Sequence, residues 1–277
     1  MNDYLENPNA ASGIQPSLAP DLAAPPPSSP APRDPAWSGW DVLRILLIGA
    51  VALFATILML VAVVHGPTLR DRLNLLNDHP ELLIIAQMAA YLVLLGYMYI
   101  LVTRERRLPR FWEAIHWNWP RTIWLYLLVG LLMQAAFLVI EAEKLLPFPK
   151  DVPFEALLKQ PFTIVLIAVF STTLGPLMEE LFFRGFLYPV LKRSLGVFAA
   201  VVATALPFGL MHAAQYGYSW ASVLLIFIVG VVLAVVREKK NSLGAAFLVH
   251  AAYNGTIILL LFIGTGGFRH LERIGSQ

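Results

Sequence analysis

Three short motifs place ionisable side chains inside apolar stretches of the second half of the chain. They are Glu-Glu-x-x-x-Arg at 179–184, Phe-x-x-x-His at 208–212 and His-x-x-x-Asn at 250–254. A charge at the centre of a bilayer costs about 2.5–3.5 kcal/mol on insertion scales, so ionisable residues in such stretches indicate a functional site. Carboxylate and imidazole groups are the usual general acids and bases of enzymes, and the motifs therefore indicate acid–base chemistry.

Helical spacing suggests how these side chains could be arranged. Glu180 and Arg184 are four residues apart, so on a helix they share a face and can form an ion pair that neutralises both charges. Glu179 lies about 100° around the same helix and can point into a cavity. His250 and Asn254 again share one face. A short, water-filled cavity could receive the side chains of Glu179, His212, His250 and Asn254. It would give them the hydrogen-bond partners that lipid cannot supply.

The elements that must hold these motifs are membrane helices. The chain has 277 residues, of which 58% are hydrophobic and 14% charged, against about 45–50% and about 25% in a soluble domain. The formal charge of +2 is too small to indicate a nucleic-acid binder. The hydrophobic composition instead indicates membrane lipid as the partner. The sequence contains no cysteine, which excludes disulfides, thiolate nucleophiles and cysteine-ligated zinc.

The number of membrane helices follows from the apolar stretches, because one helix needs about 20 apolar residues to span the hydrocarbon core. Seven stretches qualify, at 45–64, 82–102, 123–140, 162–178, 197–212, 220–236 and 243–263. An eighth helix is expected if the Glu179 segment starts anew after a break at Gly175 and Pro176. The sequence therefore predicts an all-α, polytopic membrane protein of seven or eight transmembrane helices around a buried polar catalytic cavity.

Four regions are expected along the chain. Residues 1–38 hold nine of the 20 prolines and are predicted to form a disordered, Pro/Ala-rich tail. The first positive charge is Arg33, so this tail does not resemble a signal peptide. N-terminal transmembrane helices are expected at 39–160, a catalytic transmembrane domain at 161–265 and a C-terminal tail at 266–277.

The distribution of Lys and Arg predicts the orientation, because these residues accumulate on the cytoplasmic side. Placing the basic loop at 104–121 inside puts twelve Lys and Arg residues inside and seven outside, with Arg184 uncounted. The N-terminus is therefore predicted to be cytoplasmic. The Pro/Ala-rich tail and the compact size fit a bacterial inner-membrane protein.

In this order and within apolar segments, the three motifs resemble those of the CPBP intramembrane protease family. That family includes the type II CAAX prenyl endopeptidases and the bacterial Abi or bacteriocin-immunity proteins. The resemblance covers roughly the last 110 residues. It implies an all-helical membrane fold that hydrolyses a peptide bond of a membrane-associated protein or peptide, near or within the membrane.

The resemblance also implies a role for each motif residue. Glu179 would be the base that activates water, and His212 would help to hold or deprotonate that water. His250 and Asn254 would stabilise the oxyanion of the tetrahedral intermediate. The supporting residues would be Glu180, Arg184 and Phe208.

The cofactor is either absent or zinc. Glu179, His212 and His250 could form a three-ligand zinc site with an open position for water. The chain lacks the His-Glu-x-x-His motif of zinc proteases, and each of the three helices offers one good ligand. Metal-free catalysis is therefore favoured.

Two other functions would use the same polar residues without hydrolysis. One is a membrane scaffold or immunity protein that acts by binding. The other is a proton- or metal-coupled transporter, for which intramembrane carboxylates and histidines are typical. The polar groups are confined to the C-terminal half, which favours a single site over a pathway across the membrane.

Overall fold

The computed structural model describes residues 35–149, 153, 157, 158 and 160–271. Within these ranges the chain forms helices and no strand. The α-helices are α1 Gly39–Val63, α2 Leu69–Asp78, α3 Pro80–Ile100, α4 Phe111–Ala114, α5 Ile123–Ala142, α6 Pro161–Thr172, α7 Leu174–Glu180, α8 Tyr188–Met211, α9 Trp220–Lys240 and α10 Leu243–Gly264. Two π-helical segments extend them, Leu101–Glu105 after α3 and Leu181–Leu187 between α7 and α8.

Six helical runs in the described residues are long and apolar enough to cross a membrane, and this confirms the all-α polytopic fold. One of them, Pro161–Met211, has 51 residues. At 1.5 Å per residue a straight helix of that length would measure about 76 Å, more than twice the bilayer core of about 30 Å. Non-helical dihedral angles at Thr173 (φ −126°, ψ −86°) and Gly196 (φ 78°, ψ 173°) break it. This run therefore contains two of the seven predicted stretches, 162–178 and 197–212.

The separate helix expected for the Glu179 segment is α7. The chain breaks at Thr173, slightly before the predicted position, and α7 begins at Leu174. Pro176 lies in the first turn of α7, where its missing N–H costs no intrahelical hydrogen bond. The break separates α6 from α7, and α7 carries both acidic residues of the first motif.

Polar contacts define one end of the helix bundle, which we call the basic end. There Arg44 at the start of α1 pairs with Glu105 at the end of the α3 run, 2.7 Å apart. The Tyr188 hydroxyl at the start of α8 donates to Glu238 near the end of α9 at 2.9 Å. Asp41 on α1 likewise pairs with an arginine, Arg106. The starts of α1 and α8 and the ends of α3 and α9 therefore lie together.

The last four residues of the predicted N-terminal tail, 35–38, belong to the described part of the chain. Residues 1–34 lie outside the described part, but residues 35–38 pack on the bundle. Trp37 is 2% exposed, and its indole N–H donates to the Phe186 carbonyl at 3.0 Å. Arg193 donates to the Pro35 carbonyl at 2.9 Å. Burial of the tryptophan ring and the hydrogen bond of its N–H stabilise this segment enough to order the neighbouring residues. The number of prolines in the tail does not reveal that contact.

Small residues let the helices that carry the site approach each other closely. A Cβ atom on Gly130 of α5 would collide with the Val249 carbonyl oxygen and lie 2.8 Å from the Ala252 Cβ on α10. A Cβ on Gly209 of α8 would lie 3.1 Å from the Val223 carbonyl oxygen on α9. Close backbone approach at small residues is the usual mode of helix packing in membranes. It packs α5 closely against α10, and α8 closely against α9.

Candidate active site

The centre of the site is a fully buried ion pair. Arg184 Nη1 lies 2.7 Å from Glu180 Oε1, and both side chains are 0% exposed. The second guanidinium nitrogen, Nη2, donates to the Gly230 carbonyl on α9 at 2.9 Å. The guanidinium carbon lies 4.4 Å from the centroid of the Phe208 ring. The pair expected from the four-residue spacing is therefore present, and it ties the π-helical segment to α8 and α9.

Glu180 also holds the histidine of the third motif. His250 Nδ1 lies 2.9 Å from Glu180 Oε1, the oxygen that binds Arg184. A carboxylate only accepts hydrogen bonds, so Nδ1 carries the proton. In neutral His250 the other ring nitrogen, Nε2, then presents a lone pair. Helical spacing cannot reveal this bond, because its partners are 70 residues apart.

Glu179 lies on the cavity side of the buried pair. Its side chain is 15% exposed, and its Oε2 lies 3.6 Å from His250 Nε2. Glu180, the next residue, is fully buried. The two carboxylates therefore differ in environment, as the rotation of about 100° between consecutive helical residues leads one to expect.

His212 follows the last residue of α8, and its ring is held by its own helix. Its Nδ1 lies 2.8 Å from the Phe208 carbonyl oxygen, which can only accept, so Nδ1 is the donor here too. Nε2 of neutral His212 is thus free to accept a hydrogen bond from water. The Phe208 ring meanwhile lies 5.7 Å from the His250 ring in a T-shaped contact. Phe208 therefore contacts both histidines as well as Arg184.

Asn254 lies one turn beyond His250 on α10. Its side-chain Nδ2 donates to the Ser171 carbonyl at the end of α6, 2.7 Å away. A carboxamide nitrogen carries two hydrogens, so one remains for a ligand. Ser171 is a positioning residue that the sequence reasoning missed, since its contribution comes from its backbone and leaves no sequence signal.

All four candidate catalytic residues line a single cavity of about 590 Å³. They are Glu179, His212, His250 and Asn254. The remaining wall is mostly apolar, with side chains from α3, α6, α8, α9 and α10. The structure therefore brings together the residues that the three motifs contribute separately, in a cavity suited to an apolar ligand with a few polar contacts.

The cavity extends away from the basic end. Its wall includes Gln215 and Tyr216, which follow α8, and Leu157, which precedes α6. On α3 it includes Gln87 and Tyr91 from the half of the helix remote from Glu105. Burial raises the pKa of the Tyr216 hydroxyl, which keeps this phenol neutral at the far end of the cavity. The cavity therefore lies toward the end of the bundle opposite the basic end.

The possible zinc set does not form. Among the described residues, no three histidine or acidic side chains lie close enough together to hold a metal ion. Both histidines donate Nδ1–H to protein acceptors, the Phe208 carbonyl and Glu180, which leaves Nε2 as the ring nitrogen that could bind a ligand. The described residues nevertheless do not assemble the three ligands of a catalytic zinc site.

The matched family agrees with the motifs. Residues 161–256 match the family model described as Type II CAAX prenyl endopeptidase Rce1-like, which confirms the resemblance noted from the sequence. The matched segment begins at the start of α6 and includes all three motifs, whereas α1 to α5 lie outside it. No curated protein and no solved structure matches the chain.

Proposed function

We propose that this integral membrane protein is an intramembrane endopeptidase that hydrolyses a peptide bond of a membrane-associated protein or peptide. The observation that carries the proposal is the meeting of Glu179, His212, His250 and Asn254 in one cavity, on elements that are distant in sequence. The match of residues 161–256 to an endopeptidase family supports the same reaction class.

In this proposal, water binds between the Glu179 carboxylate and His212 Nε2. Glu179 removes one proton as the water oxygen attacks the scissile carbonyl carbon, and the carbonyl electrons move onto the carbonyl oxygen. The protonated Glu179 then donates that proton to the peptide nitrogen as the C–N bond breaks. The products are a carboxylic acid and an amine, and the base returns to its starting state.

The developing oxyanion needs donors, and Asn254 supplies one through its remaining N–H. His250 Nε2 can donate only when the ring is an imidazolium, because Nδ1 already donates to Glu180. Glu180 Oε1 lies 2.9 Å from His250 Nδ1 and Glu179 Oε2 lies 3.6 Å from its Nε2, so a carboxylate oxygen lies beside each ring nitrogen. Preorganised donors of this type account for factors of about 10²–10³ in kcat.

We place the basic end on the cytoplasmic side of a bacterial inner membrane, with the N-terminus cytoplasmic. The charge bias of twelve Lys and Arg residues to seven supports this orientation. The cavity then opens toward the opposite side, and the scissile segment of the substrate approaches from there.

The test is cleavage of membrane-anchored and peptide substrates by the purified full-length protein in lipid vesicles. Glu179→Gln removes the base and should reduce kcat by about 10²–10⁴-fold. Glu113→Gln is the matched control, because Glu113 is 65% exposed and pairs with Arg110 outside the cavity. Activity in Glu179→Gln equal to that of Glu113→Gln would overturn the proposal.

Treatment with a chelator, with metal content measured on the same preparation, tests the cofactor. Because the described residues do not assemble three ligands, we expect full activity in the metal-free protein. Activity that is lost on chelation and restored by zinc would contradict this.

The two alternative functions give other outcomes. A scaffold or immunity protein would keep its cellular effect in Glu179→Gln. A transporter would need the cavity to continue toward the basic end, whereas Glu180 and Arg184 are fully buried behind it.

A further inference from the structure

A second hollow, which we call the aromatic groove, lies next to the loop that joins the α3 run to α5. Its volume is about 720 Å³, and four of the side chains that line it are aromatic, Trp112, Trp117, Trp119 and Phe247. The Trp112 and Trp119 rings contact that of Trp117 edge-on, with centroids 5.3 and 5.4 Å away. Trp112 is 44% exposed and Trp119 55%, so the groove is open to the surroundings of the bundle.

The start of α7 forms another wall of the aromatic groove. Leu174 and Leu177 are three residues apart on that helix, and they line the groove together with Thr173. Pro176 and Glu179, on the same helix, line the catalytic cavity instead. The helix α7 therefore separates the two hollows, and the aromatic groove is a site of its own.

Hydrogen bonds fix the tryptophan loop against the start of α10. The Ser242 hydroxyl donates to the Asn118 carbonyl at 2.7 Å, and Asn118 Nδ2 donates to the Asn241 carbonyl at 3.0 Å. The backbones also approach closely, because a Cβ atom on Gly244 would lie 2.5 Å from the Asn118 carbonyl oxygen. The groove is therefore preformed. It begins at the basic end, since residues 241 and 242 directly follow α9.

Two cationic side chains border the aromatic groove at this end. Arg121 is two residues after Trp119. Lys240 directly precedes Asn241, whose carbonyl binds the side chain of the residue next to Trp119. Both cations are exposed, and among the described residues no acidic side chain pairs with either. The groove therefore has an apolar interior and a positively charged rim.

The acidic residues nearest in sequence do not neutralise this rim. Glu113 pairs with Arg110, and Glu238 pairs with Lys192. In a bilayer, a basic rim beside an apolar groove is complementary to an anionic headgroup with an attached acyl chain. Tryptophan rings are typical of the level in the membrane where headgroup and chain meet.

We propose that the aromatic groove binds an anionic glycerophospholipid of the surrounding membrane. One acyl chain lies in the groove against the tryptophan rings and α7, and Arg121 and Lys240 hold the headgroup phosphate. A free phosphate ester such as glycerol phosphate offers the same anion without the acyl chain, and the test separates the two. The site is distinct from the proposed endopeptidase site and does not depend on it.

The test uses the tryptophans of the groove as reporters. A reporter protein carries Phe in place of the exposed Trp40, Trp124 and Trp220, none of which lines the groove. It keeps the three groove tryptophans and Trp37, which is buried at 2% exposure and adds a constant signal. The full-length reporter protein is reconstituted in phosphatidylcholine vesicles that contain increasing amounts of brominated phosphatidylglycerol or brominated phosphatidylcholine. Bromine atoms quench the fluorescence of the tryptophans that they contact.

We expect brominated phosphatidylglycerol to bind the groove more tightly than brominated phosphatidylcholine, by about 5-fold for each cation at the rim. Arg121→Gln and Lys240→Gln should each reduce this preference by about 5-fold. Arg70→Gln is the matched control, because Arg70 is an exposed arginine on α2, away from the groove. It should keep the full preference.

Three results would overturn the proposal. The first is equal quenching by the two brominated lipids. The second is a loss of preference in Arg70→Gln as large as that in Arg121→Gln, since overall charge would then decide. The third is displacement of the brominated phosphatidylglycerol by glycerol phosphate, which would show that the anion binds without an acyl chain. The measurement involves no cleavage, so its failure leaves the proposed endopeptidase function untouched.

Discussion

The buried pair of Glu180 and Arg184 should cost far more to break than an exposed pair of the same length. Arg184→Met removes the cation at 2.7 Å from Glu180, where both side chains are 0% exposed. Lys192→Met removes a cation that also lies 2.7 Å from its partner, Glu238, but with exposures of 44% and 23%. The two substitutions therefore share chemistry and distance and differ in burial.

The expected magnitudes follow from that difference. Arg184→Met leaves a carboxylate buried without its counter-ion, which costs about 3–5 kcal/mol. It also removes the hydrogen bond from Arg184 to the Gly230 carbonyl, worth about 1 kcal/mol. Lys192→Met should cost about 0–1 kcal/mol, since water screens the pair. Adding Glu180→Gln to Arg184→Met removes the unpaired charge and should restore part of the stability.

The assay is reversible unfolding of the purified protein in mixed micelles with increasing SDS. The free energies of unfolding of wild type, Arg184→Met, Lys192→Met and the double variant are compared under one condition. If Arg184→Met costs no more than Lys192→Met, burial does not control the strength of this pair. If Glu180→Gln adds to the loss, the unpaired carboxylate is not its source.

Three further outcomes are expected. Gly130→Val should destabilise the protein by about 1–3 kcal/mol in the same unfolding assay, because its side chain would collide with the Val249 carbonyl on α10; unchanged stability would contradict the close packing of α5 on α10. Asn254→Ala should lower kcat by about 10²–10³-fold with little change in KM, as measured by steady-state cleavage; an effect on KM alone would exclude an oxyanion role. The chain has no native cysteine, so a membrane-impermeant maleimide should label Gln215→Cys in intact cells and Arg107→Cys only after permeabilisation; the reverse pattern would invert the proposed orientation.

The sequence predicted those features that depend on local spacing and hydrophobicity. The apolar stretches identified the spans, because lipid requires uninterrupted apolar helices. The four-residue spacing identified the pair of Glu180 and Arg184, which is present at 2.7 Å. The position of Pro176 anticipated the separate helix α7, although the break lies at Thr173.

Features that depend on contacts between distant segments could not be predicted. Glu180 also binds His250, and Asn254 binds the carbonyl of Ser171, across 70 and 83 residues. Trp37 belongs to the bundle because its ring and indole N–H find partners near Phe186. No periodicity within one helix contains such information, since tertiary packing decides which faces meet.

The most direct test of the central claim is proteolysis in water enriched in ¹⁸O, with the products analysed by mass spectrometry. If Glu179 activates water for peptide hydrolysis, the wild-type protein and Glu113→Gln should yield a new carboxyl terminus that carries one ¹⁸O atom. Glu179→Gln, inserted in the membrane at the same level, should form this product about 10²–10⁴-fold more slowly. Labelled product formed by Glu179→Gln at the wild-type rate would contradict the role assigned to this carboxylate.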